Sequence, residues 1–468
     1  MKISFHGAAR TVTGSKHILH INPNKKILLD CGMFQGLGSD TLKLNNEFGF
    51  DPAEIDHVII SHAHIDHIGL LPKLVKEGYK GTIICTPATA SLAKLLLVDS
   101  AYIQEADVKY INRKRDKEHK VPAEPLYTVA DAMNVFPLFE TISYGEHYKV
   151  ADGVELLYTD CGHILGSAAI NLRIKEDGKI TSLTFSGDVG RYNDMILRSP
   201  DVFPQSDYIL IESTYGDRLH DRVTSATDKL LAHIVETCIE HKGKLIIPAF
   251  SLGRTQEILF MLNQLEQQQR LPALKYYVDS PLSIKVTETV KRYPDYFNEK
   301  VKLLLKTDEN VFGFKGLKYI DDVEDSIALN DLTEPCVIIS ASGMAEAGRV
   351  KHHIAHNIDD ARNTILFTGY CEPESLGGRL KKQPKEIRIF SKMFPVKAGI
   401  AEITSLSAHG DYEDLCQWLS CQDIKQVRKL FLVHGEYPVQ LNFRDRLLHK
   451  GFSDVEIPDL HQTIGLGE

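Results

Sequence analysis

Short apolar, β-branched runs alternate with longer stretches of helical period along this chain. Lys26–Leu29, His57–Ile60, Thr82–Cys85, Val154–Tyr158, Ala169–Ile174, Ser182–Phe185 and Tyr208–Ile211 are such runs, each closed by polar or Gly-rich residues, and predict strands. Ala88–Ala106 and Thr224–His241 have the length and periodicity of helices. A second rhythm starts near Tyr215. It comprises strand Lys244–Pro248, helix Leu252–Gln268, strand Leu274–Val278, helix Leu282–Arg292, and strands Cys336–Ile339 and Thr364–Phe367. That order predicts a doubly wound α/β module of its own. Strands resume at Glu386–Phe390 and Lys429–Val433, with helices at Tyr412–Leu419 and Tyr437–Lys450. The fold class is α/β throughout.

Composition narrows the class without changing it. With 468 residues, 43% hydrophobic and 25% charged, the chain is neither fibrous nor disordered and can bury more than one core. Its longest apolar stretches, Leu95–Val98 and Lys244–Phe250, fall far short of the ~20 residues a membrane helix needs. Met1–Arg10 lacks the apolar segment of a secretory signal, so no membrane partner is expected. The eight cysteines show no C-x-x-C spacing, which excludes a zinc ribbon or disulfide scaffold and predicts a cytoplasmic protein.

The formal charge of −9 excludes a general polyanion-coating surface. Nucleic acid would need positive charge gathered in one place or supplied by metal. Lys109–Lys120 is interleaved with Asp116 and Glu118 and reads as a solvated helix face. Arg379, Lys381, Lys382, Lys385, Arg388 and Lys392 have only Glu386 among them, and either steer phosphate or form a surface linker.

Chemistry concentrates at Ser61-His62-Ala63-His64-Ile65-Asp66-His67, on the turn leaving an apolar strand. Imidazoles and a carboxylate without thiolate suit zinc, manganese or iron(II). Further donors stand at other strand ends: Asp30 after Lys26–Leu29, His163 after Val154–Tyr158, Asp188 after Ser182–Phe185, and His434 after Lys429–Val433. An apolar strand followed by His or Asp with Gly nearby recurs too often for isolated structural residues.

In order and spacing, Asp30, the His62–His67 motif, His163 and Asp188 resemble the metallo-β-lactamase superfamily. Ile211-Glu212-Ser213-Thr214-Tyr215-Gly216, Ser407-Ala408-His409 and Val433-His434-Gly435-Glu436 are similar to the signature motifs of its β-CASP RNA nucleases. That group includes the 73-kDa endonuclease subunit of the cleavage and polyadenylation factor and its bacterial and archaeal homologues. The resemblance implies an αββα sandwich, residues 1–212 and 386–468, with a β-CASP domain inserted at 213–385. It implies one metal on His62, His64 and His163, another on Asp66, His67 and His434, Asp188 bridging, and Asp30 orienting a ligand histidine.

Two Zn2+, with Mn2+ as the alternative, would activate water against a phosphodiester. His409, paired with Glu212, is the expected general acid for the departing ribose oxygen. Arg254, Ser342, Gly343 and Ser407 are the expected phosphate contacts. Since His434 matches the RNA-cleaving members, the expected activity is hydrolysis of single-stranded RNA to 5′-phosphate and 3′-hydroxyl ends, endonucleolytic with 5′-exonuclease action open. A homodimer is allowed. The alternatives are a single-stranded DNA nuclease or small-molecule hydrolase on the same fold, and a non-catalytic RNA-binding subunit.

Overall fold

Two seven-stranded sheets bury their apolar faces against each other in the computed structural model, which describes residues 1–467 other than 24, 39, 118, 119, 177 and 221–225. The start of predicted helix Thr224–His241, and Glu118 and His119 of the basic block, lie outside the described residues, as does the side chain of Lys114. The first sheet runs Thr463–Gly465, Lys2–Gly7, Lys16–Asn22, Lys25–Leu29, His57–Ile59, Thr82–Cys85, Phe139–Thr141. The second runs Val455–Glu456, Lys429–Val433, Tyr208–Glu212, Lys179–Phe185, Ala168–Glu176, Val154–Asp160, His147–Ala151.

The pleat explains the layers. Leu210, Phe431 and Val433 join Phe5, Leu19, Leu29 and Ile59 in the core between the sheets. Their neighbours Ile209, Ile211, Leu430 and Leu432 point the other way, onto Leu415, Trp418, Phe443 and Leu447 of helices Tyr412–Leu419 and Tyr437–His449. Strands buried on both faces read as continuous apolar runs, which is why these were legible.

Lys2–Gly7 and Lys16–Asn22 were not, because Ser4, His6, Lys16, His17 and His20 break the pattern. Lys16 and His17 are nevertheless fully buried. Helix Pro87–Lys117 runs past its expected end at Ala106, and helix Ala226–Ile234 continues into a π-helical turn, Val235–Glu240. Among the described residues, no helix is long and apolar enough to cross a membrane.

The chain divides into two compact units. One comprises Met1–Tyr192, Leu197–Leu219 and His409–Glu468; the other comprises Asn193–Ile196 and His220–Ala408. The second unit holds an all-parallel sheet in the order Leu317–Tyr319, Lys275–Val278, Cys336–Ser340, Lys244–Pro248, Thr364–Phe367, Gly399–Glu402. Gly399–Glu402, expected in the sandwich, instead pairs with Thr364–Phe367, where it completes the sheet edge. The chain therefore re-enters the first unit at His409, later than the expected 386.

Candidate metal centre

Parallel strands bring their carboxyl ends to one edge of the first unit. Leu29 pairs with Ile59, Phe185 with Leu210, and Glu212 with Val433, so the residues that follow are neighbours in space. Asp30 and His434 follow directly, and both take left-handed backbone, φ 57° and 50°. That costs an L-residue roughly 1–2 kcal/mol. It is held by Asp30 N–H donating to Ile59 O (3.0 Å) and His434 N–H to Ala8 O (2.7 Å). Gly187, φ 55°, precedes Asp188 where a Cβ would meet Ser61 Cβ at 2.5 Å, so only glycine fits.

The donors converge in two groups. His62, His64, His163 and Asp188 each place one donor atom within 4.8 Å of the others, as do Asp66, His67 and His434. Asp188 touches both: Oδ2 lies 3.4 Å from Nε2 of His62, His67 and His163, and Oδ1 lies 3.5 Å from His434 Nδ1. His62 Nε2 and His64 Nδ1 are 3.1 Å apart, and the Nε2 atoms of His67 and His434 are 3.3 Å apart.

Outer contacts fix the tautomers. Asp30, fully buried, accepts His67 Nδ1–H at 2.6 Å, which leaves a lone pair on His67 Nε2. Ser61 has one hydroxyl proton and gives it to Asp30 Oδ2 (2.9 Å), so towards His62 Nδ1 (3.0 Å) it accepts. Thr214 likewise gives its proton to Glu212 Oε2 (2.5 Å) and accepts from His434 Nδ1 (3.0 Å). In the neutral, ligand form of each ring, the Nε2 atoms of His62, His67 and His434 therefore turn their lone pairs inward.

These residues fit a divalent cation. Facing lone pairs 3.3 Å apart repel unless positive charge lies between them. Asp188 Oδ1 is buried with no hydrogen-bond partner among the described residues. Burial pushes His62 down to about 3 and His64 to about 4, the neutral ligand form at pH 7. Burial raises the Asp188 carboxyl, but His434, His67 and His62 together hold it well below the usual range. His67 is held well above its ordinary value: burial lowers it, and Asp188, Asp30 and Asp66 outweigh burial. A proton there answers the same demand for positive charge that a cation would.

Glu212 is fully buried and accepts from Val189 N–H (2.6 Å), Thr214 Oγ1 and His409 Nδ1 (3.1 Å). Burial lowers His409, but the charges of Glu212 and Asp188 push it up to about 9. Its side chain is 19% exposed, whereas Asp188, Glu212 and His434 are closed to solvent. Asp188, Glu212, His409 and His434 also offer donor atoms within 4.8 Å of one another.

Sequence reasoning assigned no role to Ser61 or Thr214, although both stand in the motifs it singled out. The one signal available was a hydroxyl next to a donor. Arg254, Ser342, Gly343 and Ser407 belong to the second unit. Arg254 is buried and ion-paired with Glu257. Ser342 Oγ exchanges weak hydrogen bonds with Ala347 N and O, and Gly343 is packed on the Phe250 ring, which a Cβ would meet at 2.6 Å. Ser407 is half-buried.

Residues 17–146 match the metallo-beta-lactamase superfamily, 255–380 the Beta-Casp domain, and 393–458 the Zn-dependent metallo-hydrolase RNA specificity domain. The chain is 35% identical to ribonuclease TTHA0252 of Thermus thermophilus over 93% of both chains. It is 31% identical to an RNase J-like protein of Methanocaldococcus jannaschii over 94% of both. Cleavage and polyadenylation specificity factor 73 of Drosophila melanogaster is 30% identical over 92% of this chain and 59% of its own length.

Proposed function

Because the chain belongs to the β-CASP branch of the metallo-β-lactamase superfamily, a family of divalent-metal-dependent nucleases, we propose that it is a two-zinc ribonuclease. Its substrate is single-stranded RNA, cut internally, with 5′-exonuclease action as a second mode and 5′-phosphate and 3′-hydroxyl products. The relatives named as ribonucleases, and a histidine at position 434, favour RNA over DNA.

In this reading His62, His64 and His163 would hold one cation and Asp66, His67 and His434 the other, with Asp188 in reach of both groups. Bound there, the pair would supply Lewis acidity, lowering the pKa of intervening water and neutralising charge on the phosphate. Asp30, Ser61 and Thr214 keep the imidazole lone pairs turned inward, so the donors need no rearrangement. Glu212 holds His409 by Nδ1, so Nε2 is the atom that delivers a proton to the departing ribose oxygen. General acid catalysis of this kind is worth roughly 10²–10⁴-fold.

The observation that carries the reading is the convergence of imidazole and carboxylate donor atoms around Asp188, beside a histidine held by a separate buried glutamate. Cleavage of 5′- and 3′-labelled RNA tests it in wild type, His409→Ala and Asp188→Ala, with zinc content measured in each. Internal products in wild type, lost in both variants, are the expected result. Activity surviving in Asp188→Ala, or cleavage of single-stranded DNA but not RNA, would overturn it.

A further inference from the structure

The second unit carries an exposed aromatic residue on backbone that aromatics avoid. Strands Glu386–Ile389 and Lys392–Pro395 pair antiparallel with Ile389 opposite Lys392, so Phe390 and Ser391 alone form the turn. A two-residue hairpin turn of this hand needs positive φ at both positions, and Asn-Gly meets that need with least strain. Here φ is 50° at Phe390 and 66° at Ser391. The ring is not buried in exchange for this backbone, since Phe390 stays 46% exposed.

What the turn achieves is presentation of the ring. Phe390 lies on His352, with centroids 4.5 Å apart and planes 33° apart. Lys351 Nζ, which also donates to Glu346 O, is 5.4 Å from the Phe390 centroid. His352, Lys385, Arg388, Lys392 and Lys397 are exposed, and Glu386 is the one acid between Lys385 and Lys397. In a chain of formal charge −9, a half-exposed ring at the tip of a hairpin whose exposed cations outnumber its one acid is chemically selective. Stacked rings supply a surface for unpaired bases, and flanking cations meet the phosphates.

We propose that this hairpin tip is a binding site for single-stranded RNA: a base stacks on Phe390 beside His352, while Lys351, Arg388 and Lys392 meet neighbouring phosphates. It rests on the ribonuclease reading and deepens it by adding a contact that acts on binding, not on hydrolysis. Sequence-tolerant binding follows, because every base has a flat face.

The test uses the full chain loaded with zinc, carrying His409→Ala to stop turnover, and a fluorescein-labelled oligouridylate. Phe390→Ala is expected to weaken binding roughly tenfold, within the range for losing one stacked base, with little change in salt dependence. Arg388→Glu, which leaves the turn intact, is expected to weaken binding and flatten the salt slope by roughly 0.7 or more. Phe390→Trp is expected to keep affinity and to show fluorescence quenched by the RNA; the chain's one native tryptophan, Trp418, is buried against Phe203. Unchanged affinity in Phe390→Ala, or an unquenched Phe390→Trp protein that still binds, overturns the hairpin site alone. Failure of the parent to bind the oligouridylate overturns the ribonuclease reading with it. A dimer lost in Phe390→Ala while RNA affinity stays intact would give the tip to a second copy of the chain, and likewise overturn the proposal.

Discussion

The Thr214 hydroxyl lies 3.0 Å from His434 Nδ1 and 2.5 Å from Glu212 Oε2. One hydroxyl therefore links the imidazole that faces the metal centre, from whose Nδ1–H it accepts, to the carboxylate that holds His409, to which it donates. Thr214→Val keeps the shape and removes the link, leaving His434 free to turn the wrong nitrogen inward. Zinc affinity and kcat/KM should each fall roughly 10–100-fold, while Thr214→Ser stays near wild type. Chelator competition and cleavage rates measure the two effects, and equal behaviour of the two variants would count against the link.

Asp30 holds His67 from behind, through Nδ1 at 2.6 Å. In Asp30→Asn an amide N–H can face that nitrogen and favour the other tautomer, putting a proton where the lone pair belongs. A loss of roughly 10–100-fold in zinc affinity is expected, read by titration against a chromogenic chelator. Wild-type affinity in this variant would deny Asp30 its orienting role.

His409→Ala should keep both zinc ions and lose roughly 10²–10⁴ in kcat. A general acid works only while protonated, so the wild-type rate must fall as pH rises through its pKa, and that alkaline limb should be missing from the variant. Elemental analysis with pH–rate profiles decides this. Zinc lost along with activity would make His409 a ligand instead.

Chelation should destabilise the protein as well as silence it, because the inward lone pairs are left facing each other. A cation at a thousand times its dissociation constant stabilises by roughly 4 kcal/mol. Tm should therefore drop on dialysis against a chelator and recover with zinc.

Lys16 supplies a pH prediction away from the metals. Its ammonium is fully buried, donates to Gly14 O (2.8 Å) and Gly32 O (2.7 Å), and burial pulls its pKa down to about 7. Between that value and the unfolded value near 10.4, the unfolded chain holds the proton and the folded chain does not. Unfolding then takes up a proton, so stability rises with pH across this window by up to about 1.4 kcal/mol per pH unit. Lys16→Met should lack that rise, and the difference between the two unfolding curves from pH 7 to 10 isolates it. Parallel curves would show the amine stays charged in the folded protein.

The sequence by itself determined the strands buried on both faces and the donors that end them. Tyr208–Glu212 and Lys429–Val433 are apolar because sheet and helices cover them, and that burial is written residue by residue. His62, His64, Asp66 and His67 are legible for a similar reason: six residues of chain suffice to bring them near one another. Tertiary structure alone decided the rest. Strand Lys16–Asn22 carries Lys16 and His17 into the interior, against its own polarity, because backbone carbonyls of Gly14 and Gly32 and the rings of Phe5 and Phe185 wait there. Ser61 and Thr214 act through the direction of a single hydroxyl proton: Ser61 gives its own to Asp30 from another strand end, and Thr214 gives its own to the nearby Glu212 and accepts from His434, which the fold brings from 220 residues away. Phe390 reads as the end of a strand, and only the pairing of Ile389 with Lys392 turns it into an exposed tip. Burial and local spacing are properties of neighbouring residues, whereas hydrogen-bond direction and exposure depend on what distant segments bring alongside.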